Sequence, residues 1–537
     1  MPVIRTIKTS SGKTAVQLVE RVKQETKIVK HIGSAGDNKE LDLLMQKANV
    51  YCTDLDTKYI TPLFPELFPE VIDTTINTPS CVEVLVDQLS FTHTLHTFAY
   101  EFLAFFYEDN GFHKLQNKLL QDLVIIRLIE PSSKLRSIEL LQRYFAITYH
   151  KDQVYEPLQK LSMEKDKAEQ IAITYAKKHL NFTFSLVLYD VTTLYFETTE
   201  ADKTTDAAGN VSKGLRSHGF SKDNKPHQPQ IMIGLVVTKE GYPIAIEMFD
   251  GKTFEGHTMI PVIKKLQETY GIETLTIVAD AGMLSAENLD AIKASELSYI
   301  VGARLGNTPI KLLQEIAENL NKTENIYYQK ATDKGLLICD YSQKRAAKDK
   351  SDRKKQLKKA QYHIENPEKM KRRTRFVTEE TKNKKAKLNH ELIAKDECKE
   401  GIKGYYTNLV PTEKFTVADM VNRYKDLWHV EKSFRIAKSD LQARPLFHHK
   451  KDSIAAHILI VFISLCIART IEKDTGYSLK RVRDMIWQVQ DIFFTDTKSN
   501  KQFCKRMDTG TNPMAKYLEK HILDKKNSLT HVLAEKT

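Results

Sequence analysis

The chain has few cysteines and no apolar run long enough to span a membrane. Its six cysteines in 537 residues include no CxxC pair, which argues against a zinc site or a disulfide framework and favours a reducing compartment. The most apolar stretch, residues 454–468, is short and contains His457, so it predicts a buried helix. The N-terminal residues lack the apolar stretch of a signal peptide. We therefore expect a cytoplasmic protein without a membrane partner.

Acidic residues are fewer than basic ones, and the imbalance is local. The chain has 81 Lys and Arg against 69 Asp and Glu, a net charge of +12. Residues 341–385 alone hold 17 Lys and Arg against 6 Asp and Glu, a net +11. This basic block is either a solvated, partly disordered segment or an arm that binds the DNA backbone without reading sequence. The candidate phosphate contacts in it are Lys354, Lys355, Lys358, Lys359, Arg372 and Arg373.

The length predicts several domains, and the hydrophobic periodicity divides the chain into six parts. We expect a small β-meander over 1–35, a mostly helical and candidate DNA-binding region over 36–180, and an α/β core over 181–310. An insertion with the basic block follows over 311–410. The core resumes over 411–448, and a helical region covers 449–537.

Two helices in the second part are predicted to meet at the sequence EPSS. Ser132 or Ser133 would cap the second helix. Lys134 and Arg136 open that helix, which either docks on DNA or packs as an ordinary element.

The α/β core shows the clearest pattern. FSLVLYDVTTLYF is an apolar strand that contains Asp190, and QIMIGLVV and YPIAIEMF form a hairpin around Gly241. A helix ending at Gly271, the strand LTIVADAGM with Asp280, a second helix and the strand LSYIVGARL follow. This order predicts a mixed sheet with helices packed on it.

Three carboxylates stand out against this framework. Asp190 and Asp280 each interrupt or end an apolar strand, where an unpaired charge is costly. Strands that end side by side would bring both together, and a divalent cation would relieve their repulsion. Alternatively, each aspartate caps a following turn. Glu431 lies in an amphipathic helix, where a surface salt bridge with Lys432 or Arg435 is the alternative.

These passages together resemble the DDE transposases of bacterial insertion sequences, in the IS-four-like superfamily with a ribonuclease-H-like catalytic domain. The matching stretches span roughly 185–305 and 405–470; they are YDVTTLYFE, GFSKDNKPHQPQIMIGLVVTKEGYPIAIEMFDGKT, VADAGMLSAENL and RYKDLWHVEKSFRIAKSDLQARPLFHHKKDSIAAHILIVF. Each stretch alone is modest evidence for the resemblance. Four stretches in this order, with a long insertion before the Glu431 helix, make the resemblance specific.

The resemblance implies roles for residues around Glu431. The superfamily signature has Tyr, two residues, Arg, three residues, Glu, six residues and Lys, which here are Tyr424, Leu427, Glu431 and Lys438. Tyr424 and Lys438 are then expected to contact the transposon end. Leu427 departs from the signature, and Arg423 or Lys425 is the candidate substitute. On physical grounds alone Arg435, one turn beyond Glu431, is a further candidate phosphate contact.

The resemblance also implies the activity and the partners. Asp190, Asp280 and Glu431 would hold two Mg²⁺ or Mn²⁺ ions in the DNA-bound state and catalyse cleavage and strand transfer at the ends of the element. In a chain without DNA, Glu431 can lie further out than the two aspartates. The partners would be double-stranded transposon ends and target DNA, bound by a homodimer. The rival hypotheses are a structure-selective nuclease or resolvase and a non-catalytic DNA-binding relative.

Two further groups were weighed as functional candidates. His218, His227 and His257 lack the spacing of a metal site, so surface exposure or phosphate contact is favoured for them. Trp428 and Phe434 are expected to pack the Glu431 helix on the sheet rather than stack on a base.

Overall fold

The computed structural model describes most of the chain. The described residues are 3–8, 13–22, 25–36, 40, 44–45, 86–205, 211–272, 275–283, 286–295, 297–366, 374–379, 386–507 and 510–521. The chain forms two compact units. The first comprises residues 1–95, 145–147 and 491–507, and the second comprises the remainder.

The strands, in chain order, are β1 (Val3–Lys8), β2 (Thr14–Val22), β3 (Glu25–Ala35), β4 (Leu89–Leu95), β5 (Leu186–Tyr195), β6 (Lys203–Thr205), β7 (Val211–Lys213), β8 (Gln230–Val237), β9 (Pro243–Asp250), β10 (Thr276–Ala279), β11 (Ser298–Ala303), β12 (Tyr327–Thr332), β13 (Gly335–Tyr341), β14 (Val377–Glu379), β15 (Ala386–Leu388), β16 (Ile402–Thr407), β17 (Gln490–Asp496) and β18 (Gln502–Met507). The α-helices are α1 (Thr97–Asp109), α2 (Lys118–Ile129), α3 (Lys134–Phe145), α4 (Lys151–Leu161), α5 (Lys165–His179), α6 (Met259–Tyr270), α7 (Ala286–Ala294), α8 (Ile310–Leu320), α9 (Gln343–Glu365), α10 (His390–Cys398), α11 (Val417–Lys425), α12 (Trp428–Arg435), α13 (Lys451–Thr475) and α14 (Leu479–Trp487).

The first unit contains two three-stranded sheets. Strands β1, β2 and β3 pair antiparallel in sequence order, as their alternating pattern predicts. The second sheet has the order β18-β17-β4. Its strands β17 and β18 interrupt the C-terminal region predicted to be mostly helical, and the sequence pattern did not single them out. The cause is pairing of β17 with β4, a partner about four hundred residues away that a local pattern does not reveal.

The second unit is built on one eight-stranded mixed sheet in the order β12-β13-β16-β11-β10-β5-β8-β9. Strands β5, β10 and β11 run parallel, and the remaining neighbours pair antiparallel. The predicted order from β5 to β11 and the hairpin β8–β9 are confirmed. Gly241 closes this hairpin with a φ of +83°, a conformation that favours glycine.

The region between β11 and β16 starts with helix α8 and then adds two strands to this same sheet. Strand β12 pairs with β13, β13 pairs with β16, and β16 pairs with β11. Much of the basic block forms the 23-residue helix α9, so residues 343–365 are an ordered helix and not a disordered segment. Arg372 and Arg373, which were predicted to contact phosphates, lie outside the described residues.

Helices cover the sheet, and α13 is the longest of those described. By length and composition it could cross a membrane, yet nearly all of its most apolar 18-residue window is buried inside the protein. It packs against α2, α4 and β9, which confirms the buried helix predicted for residues 454–468.

The predicted junction at EPSS is also seen. The hydroxyl of Ser133 accepts a hydrogen bond from the Arg136 amide at 3.2 Å and so caps α3. Lys134, however, is only 3% exposed. Its side chain therefore does not face a docking surface, whereas Arg136, which pairs with Glu139 at 2.8 Å, is exposed.

Candidate active site

Asp190 and Asp280 lie on neighbouring parallel strands. Val278 of β10 is opposite Leu188 of β5. Carried two residues further, the same register sets Asp280, which directly follows β10, beside Asp190. Asp190 and Asp280 are therefore separated in the sequence by the same number of residues as the paired positions of the two strands.

The Asp190 carboxylate lies in a half-buried setting with charges of both signs. Burial raises its pKa to about 6, against the opposing effects of Lys222 and of a backbone hydrogen bond from Val191. The carboxylates of Asp280 and Glu255 raise the pKa of Asp190 further. Both are therefore close enough to repel it.

Asp280 is exposed to solvent and is oriented by a tyrosine. The hydroxyl of Tyr424 donates to Asp280 Oδ1 at 3.1 Å. Tyr424 is only 4% exposed and lies on α11, which begins at Thr416 with a capping box closed by Asp419. A Cβ on Gly302 would lie 2.5 Å from the Tyr424 hydroxyl oxygen, so only glycine leaves room for this tyrosine.

Glu431 is exposed on α12, which packs against β5 and β8. The hydroxyl of Ser433 donates to the Gly241 carbonyl at 3.0 Å, and Phe434 is buried. Lys432 pairs with Glu472 at 2.8 Å instead of with Glu431. Within the described part of the chain, Glu431 has no ion pair, so the surface salt bridge considered for it is absent.

The environment of Tyr424 links the three carboxylates. Burial raises the pKa of its hydroxyl well above the ordinary range, and Asp280, Asp190 and Glu431 each raise it further. Even so, among the described residues no three His, Cys, Asp or Glu side chains are grouped as ligands of one metal ion. The donor set fits a hard divalent cation in chemistry, because it is all carboxylate oxygen and because Asp190 and Asp280 repel each other.

The residues predicted to bind DNA do not all lie at this centre. Lys438 is half-buried and pairs with Asp223 at 3.2 Å, and burial lowers the pKa of its ammonium group. Lys425 pairs with Asp340 at 3.3 Å. Both cations are therefore engaged with protein carboxylates in this structure.

Arg423 lies away from the two aspartates. It pairs with Asp426 at 3.6 Å and lines a cavity with Leu186 and Thr276, the first residues of β5 and β10. Asp190 lies midway along β5, and Asp280 directly follows the last residue of β10. Arg435, by contrast, is exposed on the same helix as Glu431.

The lysines of the basic block form an exposed surface of α9. Lys354, Lys355, Lys358 and Lys359 all face solvent. In the same helix Arg353 is only 8% exposed and points away from that surface.

The two aromatic residues of α12 differ. Phe434 is 8% exposed and packs the helix, as expected. Trp428 is 50% exposed and stacks on His429 with ring centroids 3.9 Å apart, so its predicted packing role was wrong. Leu427 is buried, which explains why an apolar residue is tolerated where the superfamily signature has arginine.

Three charged residues near the carboxylates were not predicted from the sequence. Lys222 donates to the Val191 carbonyl at 2.7 Å and pairs with Glu255 at 2.8 Å. Lys403 of β16 lies 4.4 Å from the centre of the Tyr424 ring, and burial lowers the pKa of its ammonium group. Lys222 lies in a turn, Glu255 begins a short 3-10 helix and Lys403 lies on a strand remote in the sequence, so no hydrophobic periodicity points to them.

The three histidines considered earlier, His218, His227 and His257, are exposed. None belongs to a metal-ligating group among the residues that the structure describes.

Comparison with known proteins identifies the family. The family described as "Transposase DDE domain" matches residues 182–467, more than half of the chain. No curated protein matches the sequence. Among solved structures, the chain is similar to the piggyBac transposase synaptic complex with hairpin DNA, at 10% identity and a TM-score of 0.34, over 79% of this chain and 74% of that chain. It is also similar to the Mos1 transposase paired-end complex with the left transposon end, at 14% identity and a TM-score of 0.15, over 46% and 66% of the two chains. The family match carries the identification: the chain belongs to the DDE transposases.

Proposed function

We propose that this transposase cleaves DNA at the ends of an insertion sequence and joins the freed ends to target DNA, with Asp190, Asp280 and Glu431 as its catalytic carboxylates. The observation that supports this choice of residues is the parallel register of β5 and β10, because its extension by two residues would put Asp280 beside Asp190. Asp190, Asp280 and Glu431 each raise the pKa of the Tyr424 hydroxyl, which supports Glu431 as the third catalytic carboxylate. In this proposal the eight-stranded sheet and its helices are a ribonuclease-H-like core, and the elements between β11 and β16 are its insertion.

The three carboxylates would hold two Mg²⁺ or Mn²⁺ ions once DNA is bound. Such ions activate a water or a 3′-hydroxyl and stabilise the leaving oxygen during in-line displacement at phosphorus. Tyr424 keeps Asp280 in one orientation through its hydrogen bond. Asp190 has to be ionised to act as a ligand, and Lys222 favours that form.

The movement that completes the site would bring Glu431 towards the aspartate pair. Glu431 is exposed and without an ion pair in the described part of the chain, so its carboxylate is free to turn. Arg435, one turn beyond Glu431 on α12, and Lys438, in the π-helical turn that follows α12, would then contact phosphates of the transposon end, Lys438 after leaving Asp223. The protein would act as a homodimer on two ends, in the cytoplasm.

The test is a cleavage assay on duplexes that carry the inverted repeats flanking the reading frame. Asp190→Asn, Asp280→Asn and Glu431→Gln should each abolish Mg²⁺-dependent cleavage and leave binding of the end nearly intact, because phosphate contacts come mainly from basic residues. Matched controls are Asp290→Asn and Glu268→Gln, which change exposed carboxyls on α7 and α6. Robust cleavage by any of the first three variants would remove that residue from the site.

The rival hypothesis of a nuclease or resolvase predicts hydrolysis alone. A pre-cleaved end with a free 3′-hydroxyl, mixed with a supercoiled plasmid, separates the two activities. Joined products support transposition, and cleavage without joining supports the nuclease. A non-catalytic relative would give neither.

A further inference from the structure

A cleft opens beside Asp280 and leads away from the carboxylates. Its volume is about 390 Å³. Asp280 and Tyr424 line its inner end, β16 forms its floor through Lys403 and Gly404, and α9 supplies Arg353 and Gln356 to its outer wall. This volume lies at the small end of the range of ligand sites, roughly 300–1,000 Å³.

At the inner end, Lys403 offers a positive charge that feels the carboxylates of Asp280, Asp340 and Glu431 without forming an ion pair with any of them. It is half-buried, lies over the Tyr424 ring and has no ion pair among the described residues. The acidic groups further along the cleft are engaged: Asp349 pairs with Arg345 at 3.6 Å, and Asp396 pairs with Lys399 at 2.7 Å. The lysine is therefore available to an anion.

The outer wall contains two buried polar atoms that lack partners in the structure. Arg353 is held on one edge by Glu400 and, at 3.7 Å, by Glu397, while its Nη1 has no hydrogen-bond partner. The side-chain oxygen of Gln356, one turn along α9, is also buried and unpartnered. Because this oxygen is an acceptor, the amide would have to turn its NH2 group towards a phosphate. Leaving such groups without a partner destabilises the folded protein, so a ligand that satisfies them would gain affinity. A guanidinium fixed in this way, with one nitrogen free, suits a phosphate oxygen.

We propose that this cleft binds the sugar–phosphate backbone of one unpaired DNA strand, the strand that continues past the scissile position at Asp280. One phosphate contacts Lys403, and a phosphate further along contacts Arg353 Nη1 beside the Gln356 amide. The proposal rests on the proposed function, since Asp280 defines where the strand is cut. It differs from the exposed lysines of α9, which face away from the cleft.

The experiment measures binding of the full-length protein to end duplexes in Ca²⁺. One duplex stops at the cleavage position, and the other continues on one strand by about four unpaired nucleotides, a length within the site sizes of single-strand binders. The unpaired flank should raise the affinity of the wild-type protein about tenfold, the worth of one charge-assisted contact. Lys403→Gln, Arg353→Met and Gln356→Met should lose most of that gain.

Two control variants change the same residue types outside the cleft. Gln361→Met changes the same residue type on the exposed side of α9, and Lys414→Gln removes an exposed lysine close in sequence to β16. Both should retain the full gain. Because Arg353→Met leaves two carboxylates without their partner, Gln356→Met and Lys403→Gln carry the test if that variant melts at a lower temperature.

Chemical changes in the flank identify what the cleft contacts. Neutral methylphosphonate linkages should abolish the gain, and abasic nucleotides should leave it. The opposite pattern would overturn the proposal by showing that bases are bound. A flank that adds no affinity, or an equal loss in the control variants, would also overturn it. Failure of the protein to bind the end duplex at all would instead count against the proposed function.

Discussion

At the scale of single residues, Asp190 combines a catalytic role with a cost to stability. Its folded pKa of about 6 exceeds the unfolded value near 3.9, so the folded state binds the proton more tightly. The free energy of unfolding therefore falls as the pH rises from about 4 to about 6, and the whole loss is present above that window.

Asp190→Asn should therefore stabilise the metal-free protein at neutral pH. We expect a gain of about 1–2 kcal/mol at a pH of about 7.5 and almost none at a pH near 3.5, where the wild-type carboxyl is also neutral. Denaturant titrations in a chelating buffer measure both values. Asp290→Asn, on an exposed surface, should change neither. Equal stability of Asp190→Asn and wild type at neutral pH would show that the carboxylate is not desolvated.

Gly302 is a second residue whose identity follows from the site. A methyl group there would collide with the Tyr424 hydroxyl, which orients Asp280. Gly302→Ala should slow end cleavage about tenfold or more, since small misplacements of catalytic groups are costly. Tyr424→Phe should show a loss of similar size.

Gly306→Ala is the control for that substitution, because a Cβ at Gly306 meets nothing within 4 Å. It should cleave at the wild-type rate. A Gly302→Ala protein that matches it would mean that Tyr424 does not set the geometry of Asp280.

At the scale of elements, α9 carries a large share of the net positive charge of the chain, with nine Lys and Arg against three Asp and Glu. Replacing Lys354, Lys355, Lys358 and Lys359 by glutamine should weaken binding to end and random DNA alike. The slope of log affinity against log salt should become shallower, since it is roughly −0.9 per phosphate contacted. Binding measured across a salt series checks this.

The control for α9 replaces exposed lysines on other helices, Lys264 on α6 and Lys311 on α8. The slope should then stay near that of the wild type. A loss confined to end DNA in the α9 variant would mean that the helix reads bases, and an unchanged slope would mean that it does not touch the backbone.

The elements also show what the sequence could predict. Strands β5, β8, β9 and β10 were predictable because each is a short apolar run bounded by turn residues. Strand β17 was not, since its partner β4 is remote. The helical form of the basic block was missed as well, because its apolar residues are too few to show a period, although Ala346 and Ala360 are buried.

At the scale of the whole molecule, the second unit assembles the site from distant parts of the chain. The two aspartates could be proposed from the sequence because each lies at a strand that carries little other charge. That they share one register, and that Lys403 and Glu255 lie near them, depends on the order of strands in the sheet. Such long-range placement leaves no trace in local periodicity. The six-part division of the chain stays a prediction.

The central claim is that Asp190, Asp280 and Glu431 bind the metal ions that cut DNA. Replacing each by cysteine in turn exchanges an oxygen ligand for a sulfur ligand, which Mg²⁺ avoids and softer divalent metals accept. The most direct measurement is end cleavage by these three variants in Mg²⁺ and in Mn²⁺. Our account predicts loss of cleavage in Mg²⁺ and partial recovery in Mn²⁺ for each variant. Unimpaired cleavage in Mg²⁺ by any of the three would contradict it.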